Sequence, residues 1–362
     1  MRPLGGQKNR GASGALRPSG STLPGPPSAD NVTAPDAPEV HVSSPDLVVL
    51  YEHPQWQEPL FQALEARGVR FEAFDLKSAT VSERDVPKAR LYFNQASPSA
   101  YVRGNTRAVP LALALMEDLE AQGARVLNGS KAFRFELSKL AQARAMAQLG
   151  IDHPRTMAFN DVAALQRRPH EIAFPALVKP NQGGSGARIF KVESLDEVEQ
   201  LLRLQPELWH PENLLLLQEY LAHDTRAHGI IRLEFIAGEL LYAMRVRSDG
   251  AFNLCPSEVC HPGDDTDGAC AVPAPTQALP TTFEPYPEVP AEAVEAGRRI
   301  FLHGGLDIGG IEYLETPDGR RAFYDVNANS NLRRPVALAY GFDPFERVVD
   351  WLQREIAAQP AR

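Results

Sequence analysis

From residue 47 onward, short runs of consecutive apolar residues alternate with apolar stripes at helical spacing. Leu47-Val48-Val49-Leu50-Tyr51 reads as a buried strand, a helix carrying Leu60, Phe61 and Leu64 follows, and Phe71 to Phe74 and Leu91 to Phe93 read as further strands. A helix through Leu111, Leu115 and Leu119 stops at Gly123, and Arg125-Val126-Leu127 follows as a short strand. A third helix is expected after Asn128-Gly129-Ser130, with Phe133, Leu137 and Leu140 in its stripe, Lys139 on it and Gly150 at its end. Beyond that point the pattern changes from crossovers to hairpins. Leu177-Val178-Lys179 and Arg188 to Val192 flank a glycine-rich loop, Ile231 to Ile236 and Leu240 to Val246 flank Ala237-Gly238-Glu239, and Ile311 to Leu314 and Ala322 to Val326 flank Thr316-Pro317-Asp318-Gly319. The chain closes on a core-facing helix with Asp343 as N-cap, Pro344 in its first turn, and Phe345, Val348, Val349, Leu352 and Ile356 along one face. The fold class is therefore α/β, passing to α+β in the C-terminal half.

Composition narrows the function. A net charge of -9 over 362 residues disfavours nucleic acid or an anionic membrane as a general partner. No apolar run approaches the roughly 20 residues of a membrane helix. Three cysteines, all between Cys255 and Cys270, make no disulfide framework and fit a reducing, cytoplasmic location. Their spacing with His261 matches no common zinc pattern, and the long loop from Pro262 to Pro287 reads as an active-site flap. Residues 1–44, rich in Pro, Gly and Ser, lack an apolar signal region and read as a disordered tail.

The chemistry concentrates in the last hairpin. Period-two alternation sets Asp325 and Asn327 on one face, and pairing about the turn brings Glu312 opposite them. Facing carboxylates repel, and a hard divalent cation reverses the sign; an oxygen-only set this small suits Mg²⁺. The loop Pro180-Asn181-Gln182-Gly183-Gly184-Ser185-Gly186 lies between two strands, so it is neither a Walker loop nor a Rossmann turn. It reads as a lid whose N–H groups can close over phosphates, with Lys179 at its root. The strand Leu214 to Leu217 runs into Gln218-Glu219-Tyr220-Leu221, an edge able to offer one donor and one acceptor to a purine. Arg232 and Arg245 on the intervening hairpin suit phosphate or carboxylate.

A helix with Lys139, a strand ending in Lys179, a glycine lid, the Gln218 to Leu221 edge, an arginine hairpin and the Glu312/Asp325/Asn327 set occur here in one order. In that order they resemble the ATP-grasp superfamily over about residues 128–357. The runs Ser138-Lys139-Leu140, Leu149-Gly150-Ile151 and Ala243-Met244-Arg245 are most similar to the carboxylate-amine ligases around the ribosomal-protein glutamate ligases and glutathione synthetases. The resemblance implies a small parallel-sheet α/β domain (45–127) followed by a two-lobed ATP-grasp fold, with an N-terminal lobe (128–222) and a C-terminal lobe (223–362). It implies ATP and Mg²⁺ as cofactors, two ions with Mn²⁺ as a substitute, and a carboxylate activated as an acyl phosphate for attack by an amine. Lys139, Lys179, Gly183, Gly184, Ser185 and Gly186 would hold phosphates, and Gln218, Glu219, Tyr220 and Leu221 would cradle adenine. Glu312, Asp325 and Asn327 would bind the metal, and Arg232, Arg245 and Asn253 would touch the transferred phosphoryl group or the substrate carboxylate. The implied partners are a small carboxylate and an amine, a peptide among them, and family analogy suggests a homo-oligomer. A phosphotransferase without an amine acceptor, or a silent ATP-binding protein, are the alternatives.

The sequence departs from those relatives in two places. Leu254-Cys255-Pro256 replaces their basic, glycine-containing continuation, and Ser330-Asn331-Leu332-Arg333-Arg334 follows the metal asparagine in place of Ser-Pro-Gly. Substrate contacts therefore do not carry over. Arg333 and Arg334 become candidates for a substrate carboxylate, and Asp224 for the ribose.

Overall fold

The apolar run at the start of the regular pattern becomes the central strand of a parallel sheet. In the computed structural model, which describes residues 44–83, 86–168, 171, 173–184, 186, 188–248, 281–330 and 332–360, β1 (Leu47–Tyr51) pairs with β2 (Phe71–Asp75) on one side and β3 (Leu91–Gln95) on the other. The two-residue β4 (Val126–Leu127) completes the order β2-β1-β3-β4. Helices α1 (Pro54–Ala66) and α2 (Ala108–Ala121) supply the crossovers. Neighbours β1 and β3 are where the winding reverses, so their C-terminal ends form the crevice that open α/β sheets offer to ligands. Residues 1–43, Ser185, Asn253, Asn331 and the three cysteines lie outside the described residues.

Helix α3 (Ser130–Leu137) and helix α4 (Lys139–Gln148) replace the single helix expected over 130–150. Ser138 breaks it: the residue is extended, with φ −120° and ψ 101°, and its hydroxyl accepts from the Ala141 N–H as N-cap of α4. Lys139 thus opens a helix instead of lying along one.

Two antiparallel sheets follow. The first has the order β5-β8-β6-β7, from β5 (Thr156–Phe159), β8 (Leu215–Glu219), β6 (Ala176–Pro180) and β7 (Phe190–Val192). Helices α5 (Val162–Gln166) and α6 (Leu195–Leu204) belong with it, and Phe159, Val178, Val198, Leu202 and Leu217 give this unit its own apolar core. The second sheet, β11-β10-β9-β12-β13, comprises β9 (Ile230–Ile236), β10 (Glu239–Arg247), β11 (Thr282–Pro285), β12 (Ile308–Glu315) and β13 (Arg321–Asn327). Strand β11 falls inside the segment expected to be a flap. On one face of this sheet α7 (Ala291–Gly304) packs with Leu233, Phe235, Ile311 and Phe323. On the other, Tyr242 and Met244 share a core with Leu47, Phe93 and Trp351 of α9 (Pro344–Ala358), which joins this sheet to the parallel one. Helix α8 (Arg334–Ala339) precedes α9, whose N-cap is Asp343. Among the described residues no helix is long and apolar enough to cross a membrane.

Candidate functional site

One cavity of about 270 Å³ lies where the three sheets meet. The five-stranded sheet forms its floor. Glu312 and Asp325 are direct partners across β12 and β13, and Asn327 lies opposite Gly310 two positions on. The ladder is irregular between Glu312 and Tyr313, and the extra residue is Tyr324. This bulge turns Tyr324 to the same side as Asp325, where its hydroxyl donates to Glu312 Oε2 at 2.9 Å. Burial, followed by the neighbouring Glu312 carboxylate, holds the Tyr324 hydroxyl well above its ordinary range. A strict period-two reading does not predict the bulge.

The carboxylates are met by cations. Arg232, 3 % exposed, donates through Nε to Glu234 (2.6 Å) and through Nη1 to Glu312 (2.7 Å), with Ser330 Oγ at 3.3 Å. Its guanidinium lies across Gly310, where an added Cβ would sit 2.4 Å from Nη2, so only glycine lets the arginine cross that strand. Lys139 Nζ pairs with Asp325. Lys179, on β6, donates to Gln218 Oε1 at 2.9 Å. Burial pushes Lys179 down to about 7 and Lys139 to about 8; Lys139 lowers Lys179 further, while Glu136 and Glu312 pull Lys139 back up. Two adjacent buried ammonium groups that give up protons this readily are matched by an anion.

The rim is built around them. Asn181 at the root of the glycine loop is clamped, accepting from Leu140 N–H at 2.9 Å and donating to Glu212 at 2.7 Å. Gln182 reaches Pro98 O at 3.1 Å, which ties the loop to the parallel sheet. A Cβ on Gly184 would sit 2.5 Å from Ser99 Cβ, so the loop approaches the 3₁₀ turn Pro98–Arg103 only because it is glycine there. Gly183, Gly184 and Gly186 line the cavity, as do Gln218, Glu219, Tyr220 and Leu221. Gln218 is not free for a ligand: its amide also donates to Thr156 at 2.8 Å. Leu177 of β6 and Ile189 just before β7, with Ile230 and Leu314 from the five-stranded sheet, leave apolar walls at this end.

The cavity thus gathers Lys139, Lys179, Gly183, Gly184, Gly186, Gln218 to Leu221, Arg232, Glu312, Asp325 and Asn327. It does not gather Arg245 or Asp224. Arg245 pairs with Ile231, one position out of step with Arg232, and therefore projects from the opposite face, donating to His228 O and lying over Tyr286. Asp224 is spent locally, accepting from the N–H groups of Arg226 and Ala227, while its neighbours His223 and Thr225 line the cavity. Neither Arg333 nor Arg334 lines it; Arg333 lies over Phe283 and Arg334 pairs with Asp343 at 2.9 Å. Sequence reasoning passed over Glu136, Asn329, Trp56 and Ser99, which do line it. Glu136 alone left a signal, a carboxylate inside the buried stripe Ala132, Phe133, Phe135 of α3.

The donor set suits a hard divalent ion. Among the described residues no three or more His, Cys, Asp or Glu side chains could hold a metal by themselves. The fit rests instead on two facing carboxylates and an amide oxygen, whose charge Lys139 and Arg232 now balance.

No protein-family model matches the sequence, and no curated protein does. Solved structures match it in shape. The ligase PsnB complexed with a minimal precursor superposes with a TM-score of 0.60 at 19 % identity, over 86 % of this chain and 99 % of that one. A RimK-domain protein from Sphaerobacter thermophilus gives 0.58 at 19 % identity over 84 % of this chain and 98 % of that one. The D-alanine–D-alanine ligase of Bacillus anthracis complexed with ATP gives 0.59 at 14 % identity, over 87 % and 98 %. The chain has the ATP-grasp fold. The cavity lies between the sheet of β5 to β8 and the five-stranded sheet.

Proposed function

We propose that this protein is an ATP-dependent carboxylate-amine ligase. The observation that carries the proposal is the meeting of Lys139, Lys179 and Arg232 with Glu312, Asp325 and Asn327 in one cavity beneath a glycine loop, within an ATP-grasp fold. Structures of that fold have been solved with ATP, and with Mg and ADP. Here Lys139 and Lys179 bind the phosphates, and an anion beside them restores the charge that burial makes costly. The Gln218 to Leu221 edge takes the adenine between the apolar walls. Glu312, Asp325 and Asn327 would hold Mg²⁺, which would neutralise phosphate charge there. Arg232, fixed by Glu234 and Glu312, holds its guanidinium at the cavity floor and needs no reorganisation as charge develops on the transferred phosphoryl group. The γ-phosphoryl group passes to a substrate carboxylate, ADP forms, and an amine then displaces phosphate from the acyl carbon to give an amide. Gly183 and Gly184, drawn down on Ser99, exclude water that would otherwise hydrolyse the acyl phosphate. The crevice at the ends of β1 and β3, with Trp56, Ser97 and Ser99, belongs to the substrates.

The test is ADP release from Mg²⁺-ATP with a panel of amino acids and short peptides in the presence of hydroxylamine. ADP together with a hydroxamate supports ligation and identifies the carboxylate. ADP and a phosphorylated product without hydroxamate turns the reading to a phosphotransferase.

A further inference from the structure

Two buried polar atoms, on residues that line the cavity, have no part in the reading above. Glu136 of α3 is 3 % exposed; its Oε1 accepts from the Asn329 N–H at 3.1 Å, and its Oε2 has no partner among the described residues. Asn329, 8 % exposed, commits its amide nitrogen to Gln95 O at 2.7 Å, which leaves its Oδ1 as the second acceptor without a donor among the described residues. Both residues line the same cavity as the phosphate lysines and metal carboxylates. A buried acceptor left unsatisfied costs about 1–3 kcal/mol, and two on neighbouring residues ask for a group rich in N–H. Anchoring the turn after Asn327 would account for Oε1 of Glu136, but for neither idle oxygen. A phosphate or carboxylate is excluded by like charge at Glu136, and an apolar group would satisfy neither oxygen. Of the groups that a ligase's substrates bring, an amine is the one with N–H to offer to both.

We infer that, in the ligase reaction proposed above and resting on that reading, Glu136 and Asn329 seat the attacking amine and Glu136 takes its proton. In this step the amine nitrogen bonds to the acyl carbon and the bond from that carbon to the phosphate oxygen breaks. Inorganic phosphate leaves, and the N–H proton passes to Glu136 Oε2. Burial pushes the Glu136 carboxyl up to about 7, and the Asn329 N–H, with Lys139 and Arg232, keeps it from rising further. That is the range in which a carboxylate accepts a proton efficiently at neutral pH. Sequence offers the same residue a second argument: a glutamate spends burial in an apolar helical stripe only where a partner compensates it.

Two nucleophiles separate the seat from the rest of the reaction. Hydroxylamine is neutral at pH 7.5 and attacks acyl phosphates without a base, whereas glycinamide, methylamine and the amino groups of the panel must be held and deprotonated. The Glu136→Gln variant, which also removes a charge that supports Lys139, is expected to lose about tenfold at most in hydroxamate rate. Its amide formation should fall by about 100-fold or more in kcat/KM for the amine, with KM for the carboxylate unchanged, and Glu136→Asp should recover part of the loss. Equal losses with both nucleophiles would make Glu136 a prop for the Ala328–Asn329 turn and overturn the inference. So would no loss with either, or a wild type that makes hydroxamate but accepts none of the amines. Failure of the wild type to make hydroxamate at all removes the ligase reading, and the amine seat with it.

Discussion

The two faces of the five-stranded sheet hold the same kinds of side chain on opposite terms. On the cavity face Arg232 is almost fully buried, paired with Glu234 and Glu312, beside two lysines whose pKa values burial has lowered. On the reverse face Arg245 reaches a carbonyl and a tyrosine ring, and Arg321 pairs with Glu315 with both side chains more than a third exposed. In water such groups are nearly indifferent to one another. Away from water each unpaired charge costs several kcal/mol, so charge persists on the cavity face only where partners or a ligand compensate it. The buried charges of the cavity face therefore record a function, whereas on the reverse face charge is confined to the solvated rim beyond the core that α7 covers.

The comparison is broken most decisively by removing the cation from the buried side. Arg232→Met leaves Glu234, which has no solvent exposure, and Glu312 without their partner. Loss of one member of a buried network costs about 3–5 kcal/mol, which guanidinium unfolding reads as a lower midpoint at similar slope. A loss under about 1 kcal/mol would mean that the cavity floor behaves as a wet surface and that the contrast between the faces is false.

A smaller effect comes from protons. Lys179 is lowered to about 7 from its ordinary 10.5, so between those values the unfolded chain binds more protons than the folded one, and stability rises with pH across that window. Lys139, lowered to about 8, adds to the same rise at its upper end. Glu136, raised from 4.5 to about 7, has the opposite sign, and its contribution is lost as pH climbs through 7. Nucleotide phosphates beside the lysines restore their charge, so binding of Mg²⁺-ADP at pH 8 should take up about one proton. Calorimetry in buffers of different ionisation enthalpy measures that uptake, and Lys179→Met should remove most of it. Binding with no proton change would show that the lysines are charged and solvated before nucleotide arrives.

How far the cavity face could be read beforehand follows from the same physics. Leu47 to Tyr51, the hairpin turn at Thr316 to Gly319 and the α9 stripe are local patterns, and each reappears where the spacing put it. Lys179, Gln218 and Glu312 were legible because strand ends and a turn fix their faces. Arg245 was not, since a motif locates a strand while register decides its face, and Arg245 lies opposite Ile231. The break at Ser138 and the bulge at Tyr324 were hidden for a related reason, because one residue out of phase leaves the apolar count unchanged. Glu136 and Asn329 sit 193 residues apart in the chain and acquire meaning only when the Asn329 N–H meets the Glu136 carboxylate.

The smallest effect sharpens the comparison from the other side. Arg245→Met removes a donor to His228 O and a cation over Tyr286, both at the solvated rim of the reverse face, and leaves no buried carboxylate unpaired. Its stem is only partly buried, so methionine preserves much of the packing, and the loss should stay within about 1 kcal/mol. Nucleotide affinity, followed by the same calorimetry, should remain within about twofold of wild type. If Arg245→Met instead weakened nucleotide binding as far as Lys179→Met does, the arginine would have to reach the phosphates through a rearrangement of β10. The division between the two faces would then belong to one conformation of the sheet and not to its register.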